Sequence, residues 1–550
     1  GRKVKATAAY RSALYYLRSG LELLPDHPWE KYFDLTRELT IEMAQCEYMC
    51  GNHDIALHMM DTALEQGGSS RQRAEQHLLK TIFFTGLNRH REAMATGLAG
   101  LKELGIAFPD RPGKLSVLQR LFWARWRLRL KNLNKVAALP EQADPLQIVA
   151  MDLLIALSAS AYYLDPMLCA SSILKMVEIA LKHPNVKHTP VAVGSYAVVA
   201  SLVFGTSKNI YRLGQAALNL AEKYDYPSVR GRYVYAFTFL MNHWVAPRKT
   251  NLDYLDRVLQ DALAVGDLFY AGNALFGAVE TKLLAGYPLD DVIADCHQHI
   301  QWLQALNLEE TRAFVEAVKH LAENLKEQQS RPPDFTSFMA GNKATRQLDF
   351  YCRHYQGQYL YYTGQYQAAL NIFAKAESDL DSIFGLMVYQ EHCFFHALCI
   401  SAYWPELAAG ERRRCWKTLR KNLSRFRKWA RHGPENFGHR LLLLKAEAAR
   451  LRGRKTEALE LYEQAVITAA QNNNPRDEAL ANLLAAEFYL YRKMEKTASA
   501  FLADACRCFE VWGASAITTQ LKEKYSRFLH YSNPTDEKAI QESTAAFNYN

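Results

Sequence analysis

Apolar positions along the chain recur mostly three and four residues apart, and no long stretch alternates with period two. This is the pattern of amphipathic helices. It is interrupted at regular distances, at residues 67–70, 108–113, 183–190, 246–251, 328–334, 433–436 and 472–475. Each intervening segment is long enough for one or two helices. The pattern predicts an all-α fold, an irregular superhelical solenoid of stacked helical hairpins in which no hairpin buries its apolar face alone.

Composition changes this picture little. Only 27 glycines and 18 prolines occur in 550 residues, below ordinary usage, and both residue types break helices. A sandwich, barrel or propeller would need more turn residues. With 49% apolar and 22% charged residues, the chain can build a continuous core and is not disordered throughout. Residues 189–207 lack any charge, but they also hold five Ser or Thr, and Pro190 stands where a helix would begin. They predict a helix buried among other helices, with no membrane span. The basic start, residues 1–10, is not followed by the apolar run of a signal peptide.

An internal frame repeats. Between residues 353 and 377, Gly357 is followed by Gly364, Tyr366, Ala369, Phe373 and Ala376. These resemble the small, turn, aromatic and small positions of a tetratricopeptide repeat. Gly357 on the first helix admits the second helix closely, Gly364 is free to take positive φ, and Ala369 and Ala376 share one face. The frame recurs from Ala446 (Gly453, Lys455, Ala458, Tyr462, Ala465) and from Ala44 (Gly51, His53, Ala56, Met60, Ala63). Weaker copies run through Gly205, Ile210, Gly214 and Ala217, through Lys493, Ala498, Leu502 and Ala505, and near Asn88 with Ala93, Gly97 and Gly100. The expected organisation is an N-terminal helical-repeat array (1–326), a linker or long loop (327–345), C-terminal tetratricopeptide-like repeats (346–528) and a tail or linker (529–550).

Longer-range spacing carries a broader resemblance. Ala9-Tyr10, Tyr16-Leu17, Trp29, Glu47-Tyr48 with Gly51, Asp144-Pro145, Gly266-Asp267-Leu268, Phe394-Phe395, Trp429 with Pro434-Glu435-Asn436-Phe437, and Trp512-Gly513-Ala514 succeed one another along residues 1–525. In this the chain resembles the helical-repeat region of large bacterial multidomain signalling proteins. In those, a serine/threonine-kinase-like domain and a STAND-type ATPase come first, and sensor histidine-kinase domains often follow. The resemblance implies a sensing or scaffolding region, not an enzyme, that binds a protein partner or itself and regulates an attached or partner ATPase or kinase. It carries over no catalytic residue.

Motif chemistry is sparse. No Gly-x4-Gly-Lys-Ser/Thr, Gly-x-Gly-x-x-Gly or Gly-x-Ser-x-Gly occurs, so no nucleotide cofactor, catalytic residue or small-molecule substrate is identifiable. His392 and His396, with Cys393 and Cys399, fall on one predicted helix among Phe394, Phe395, Leu398 and Ile400. A zincin would need Glu after the first His, so apolar packing is expected there rather than a metal. Cys46/Cys50, Cys506/Cys508 and Cys296-His297 with His299 are half-sites without a second half. The 10 scattered cysteines form no disulfide framework and fit a reducing cytoplasm.

Two sets of candidate binding residues remain. First-helix positions of the repeats should face a partner protein: Tyr351, His354, Gln358, Tyr361 and Tyr362, then Arg440, Glu447 and Arg450. The net charge of +9 is unevenly spread. Residues 111–140 contain no acid, and their basic helix, 111–135, interleaves Arg125, Arg127 and Arg129 with Phe122, Trp123 and Trp126. Residues 412–431 hold ten Lys or Arg and no acid, including Arg413, Lys417, Arg420 and Arg427. These two helices are the alternative site, for nucleic acid, an anionic surface or an acidic partner.

Overall fold

The structure, a computed structural model, describes residues 1–5, 9–109, 111–129, 144–185, 187–224, 226–327, 335 and 345–529. All regular structure among them is helical, with no strand. The chain forms two compact units. The first comprises Gly1–Asn242, Thr250–Ala278 and His299–Arg312, and the second His243–Lys249, Val279–Gln298 and Ala313–Asn550. The linker expected at 327–345 falls within the span Ala313–Asn550. That linker, apart from Glu327, Phe335 and Thr345, and the tail beyond Leu529 lie outside the described residues, as do Lys131, Lys135 and the side chain of Arg129.

In the first unit, Phe33–Met49 pairs with His53–Glu65 and Ser70–Gly86 with His90–Glu103. Pro145–Leu164 pairs with Pro166–Lys182, Thr189–Phe204 with Lys208–Ala221, and Pro227–Leu240 with Asn251–Val265. In the second unit the pairs are Arg346–Tyr362 with Tyr366–Ala376, Met387–Ala402 with Ala409–Ala430, Pro434–Leu451 with Lys455–Gln471, and Pro475–Tyr491 with Glu495–Trp512. The interruptions in the apolar pattern become helix starts. Ser69 and Gln72 form a reciprocal capping box. Asp165 accepts from the amides of Met167 and Leu168, and Asn474 from that of Asp477. Pro145, Pro166, Pro434 and Pro475 open helices at the one turn where a missing N–H costs nothing.

The repeat frame is visible in the backbone. Its turn position has positive φ in all six copies: Gly51 (84°), Asn88 (56°), Gly205 (82°), Gly364 (77°), Gly453 (72°) and Lys493 (59°). Two of the six are not glycine, so the turn is imposed by the hairpin packing rather than by residue type alone. The small positions are equally strict. A Cβ on Gly357 would stand 2.7 Å from the Phe373 ring. Ala44, Ala56, Ala63, Ala369, Ala376, Ala446, Ala458 and Ala465 are all fully buried, as are the gap-filling Met60, Phe373 and Tyr462.

The helix Thr189–Phe204 is buried over most of its length, as its Ser- and Thr-containing sequence predicts. Pro145–Leu164 is long and apolar enough to cross a membrane, but it packs on Pro166–Lys182 and on His90–Glu103 as a core helix does.

Candidate functional site

The second unit holds a cluster of charges in its interior. Met387–Ala402 is uncharged except for Glu391, which is buried in its second turn. Three guanidinium groups converge on that carboxylate. Arg476 Nη2 approaches Oε2 at 2.7 Å, Arg248 Nη1 approaches Oε1 at 3.1 Å, and Arg440 donates to Oε1. Arg440 also grips Asp477 with two bonds, Nε–Oδ2 at 2.7 Å and Nη2–Oδ1 at 2.9 Å. Asp477 Oδ2 in turn meets His439 Nε2 at 2.7 Å, and Asn472 donates to His439 Nδ1 at 3.0 Å. Each of these charged groups is at most 4% exposed.

Burial alone would raise the Glu391 carboxyl, but Arg440, Arg476 and Arg248 outweigh it and hold it down at about 2. Asp477 is likewise held well below its usual range: burial opposes, Arg440 prevails. Burial and the neighbouring Arg440 lower Arg248 to about 10, so it stays charged at neutral pH. Nearby, burial pushes Glu280 up to about 8, and the Tyr351 hydroxyl donates to it at 3.0 Å. Glu280 is therefore mainly a neutral acid at pH 7. The cluster sums to three cations against two anions.

Arg248 belongs to the short segment His243–Lys249, and Asn436 fixes it there. The Asn436 amide donates to the carbonyls of His243 (2.9 Å) and Ala246 (2.7 Å) and accepts from the Arg248 amide (3.1 Å). Phe437 packs on Trp244 and Trp429, with ring centroids 5.9 and 5.7 Å away. This gives a physical reason for the Trp429…Pro434-Glu435-Asn436-Phe437 pattern in the sequence. A cleft of about 610 Å³ opens beside the cluster, lined by Arg248, Lys249, Gly286, His439, Asn474 and Asp477 among others.

The candidate partner-facing residues lie elsewhere than the repeat frame predicts. Tyr351, His354, Gln358, Tyr361, Tyr362, Arg440 and Glu447 are all buried, and only Arg450 is partly open. Tyr362 receives a bond from Arg476, and Glu447 is held by Arg450, Ser401 and the Tyr462 hydroxyl. The physical reason is that helices both earlier and later in the chain cover the first-helix faces, which an isolated repeat would leave open. Of the basic candidates, Arg125, Arg127, Arg413, Lys417, Arg420 and Arg427 are exposed. His392 and His396 pack against Phe373, at centroid distances of 5.4 and 6.2 Å, and His392 also against Phe350 at 5.2 Å. Among the described residues no three metal-ligating side chains converge.

A family model of CHK1-like TPR repeats matches residues 343–525. The chain carries tetratricopeptide-like repeats. Over 334 residues it is 19% identical to the hybrid signal transduction histidine kinase G of Dictyostelium discoideum, covering 55% of this chain. The chain spans about a tenth of that relative's length. Among solved structures it is similar to yeast Tom70 at 12% identity and TM-score 0.24, with 90% of this chain and 95% of that chain covered. It is also similar to a circular tandem repeat protein at 12% identity and TM-score 0.15, with 98% and 99% covered.

The chemistry open to the cluster is structural. Glu391 and Asp477 are saturated by guanidinium donors. Burial lowers the His439 pKa, against the pull of Asp477, and both its ring nitrogens are engaged. The arrangement holds hairpins in register and offers no free base beside a nucleophile.

The signal for this cluster was present but indirect. Glu391 is the one charge in an otherwise uncharged helix, and a buried lone carboxylate demands partners. Nothing local in the sequence names Arg248, Arg440 and Arg476 as those partners.

Proposed function

We propose that this chain is a sensing and scaffolding region of a signal-transduction protein, without catalytic chemistry of its own. It binds a protein partner or a second copy of itself, and it regulates an ATPase or kinase, either attached in the same polypeptide or recruited. The observation that carries this reading is the hairpin array itself. Its interior charges are spent on one another, and an array of this kind presents extended surfaces that bind by shape. The partial likeness to a much longer histidine kinase supports the attachment to catalytic domains, of the STAND and kinase kind in the resemblance drawn above. Ten unpaired cysteines support a reducing, cytoplasmic location.

The test is immunopurification of the native polypeptide with an antibody against this region, followed by sizing and peptide sequencing. Kinase or ATPase sequence in the same chain, or in a stoichiometric partner, is the expected result. A polypeptide of only these 550 residues with no such partner would refute the regulatory reading. A second reading, anion binding through the exposed cations of 111–135 and 412–431, rests on the exposure of Arg125, Arg127, Arg413, Lys417, Arg420 and Arg427.

A further inference from the structure

The two basic helices differ in what they do with their apolar residues. In Ala409–Ala430 the stripe Leu419, Leu423 and Phe426 is buried, so the exposed face carries cations and no large apolar residue. In Lys114–Arg129 there are two apolar stripes. Val117, Leu121, Ala124 and Leu128 are buried, and the helix packs on Pro166–Lys182. Leu115, Leu118, Phe122 and Trp126, also spaced three and four apart, lie on the opposite side and are 71, 40, 55 and 59% exposed. Trp123 is 40% exposed beside them, and the Phe122 ring lies 5.4 Å from that of Phe204.

Cations border this outer stripe. At 100° per residue, Lys114 and Arg125 fall on one flank and Arg127 on the other. Among the described residues none of the three forms an ion pair with a carboxylate. Arg125 lies over the Phe204 ring at 5.0 Å and Arg127 over Trp123 at 5.8 Å. Arg120, by contrast, turns inward to Ser171 at 2.8 Å and Glu178 at 3.9 Å. An exposed Leu, Phe and Trp stripe flanked by cations that, among the described residues, pair with no carboxylate is the make-up of a helix that lies in the plane of a lipid interface.

We propose that the outer face of Lys114–Arg129 docks on an anionic phospholipid surface, with Leu115, Leu118, Phe122 and Trp126 entering the headgroup region and Lys114, Arg125 and Arg127 meeting lipid phosphates. Two observations favour this occupant over the other polyanions. Leu115 and Leu118 gain nothing from a nucleic-acid backbone, whereas lipid acyl chains accept them. The opposite stripe is already buried, so one half of the helix is open, and a flat bilayer needs no more than that half.

The full chain is sedimented with phosphatidylcholine vesicles, with or without phosphatidylserine. With three unpaired cations, roughly tenfold or greater preference for the anionic vesicles is expected, weakening with added salt. Leu115→Glu with Trp126→Glu abolishes the binding while the melting temperature stays unchanged, because both side chains are exposed. The proposal is overturned if wild type ignores anionic vesicles, or if the same face retains DNA or RNA in preference to lipid. It also fails if Leu115→Glu/Trp126→Glu lowers the melting temperature, which would mean that the chain itself covers this stripe.

Discussion

Replacing Glu391 by Gln tests the buried cluster most directly. The substitution keeps the shape and one acceptor oxygen but removes the charge that Arg248, Arg440 and Arg476 share. Their joint effect lowers the carboxyl from 4.5 to about 2 against the cost of burial, a differential of about 3 kcal/mol. Removing one partner from a buried ion pair typically costs about 3–5 kcal/mol, since the remaining charges stay desolvated. Glu391→Gln is therefore expected to destabilise the second unit by about 3–5 kcal/mol, or roughly 10 °C in its calorimetric transition. The pH dependence has a definite sign. The folded pKa lies below the unfolded one, so the contribution is complete above pH 4.5 and is lost as pH falls toward 2. That acid limb should shrink in the variant to the part that Asp477 contributes. Glu280→Gln is the control: this carboxyl is pushed up to about 8 and is mainly neutral at pH 7, so its amide should change stability by less than about 1 kcal/mol. Equal effects of the two substitutions at pH 7 would refute the charge argument.

Other consequences can be measured on the same protein. Gly357→Val forces a side chain into the Phe373 ring and should cost about 1–3 kcal/mol in denaturant unfolding, where an open helical glycine would be improved by a side chain. Lys493→Gly relieves a left-handed residue at φ 59° and should stabilise by about 0.5–1 kcal/mol, whereas Gly453→Ala at the equivalent turn should destabilise by about 1 kcal/mol. Burial lowers His354 to about 3 and His396 to about 4. Both sit below the unfolded value of 6.5, so stability should fall by up to about 1.4 kcal/mol per pH unit per histidine as pH drops from 6.5 toward 4. His354→Phe should flatten that slope in denaturant midpoints measured across the range.

Residue spacing alone determined the helices, their hairpin pairing and their turns. Gly364, Gly453 and Gly51 mark positions where the next helix must start at once, and Ala446 with Ala458 and Tyr462 mark where two helices touch. These are contacts between residues close in sequence, so their period is written along the chain. The basic stretches were legible for the same reason, but not the difference between them. That Phe426 is buried while Phe122 and Trp126 stay exposed depends on which helices lie opposite.

Burial of the polar first-helix residues was a tertiary decision throughout. Tyr351 and His354 read as partner-facing within a single hairpin, yet Glu280 and the Met387–Ala402 helix cover them. Glu391 finds Arg440 49 residues away and Arg476 85 away, while Gln390 beside it meets Arg248 across 142. No periodicity encodes such distances. Local spacing sets which face of a helix is apolar, whereas the partner of a buried charge is chosen only when distant hairpins close over it and remove the water that would otherwise solvate it.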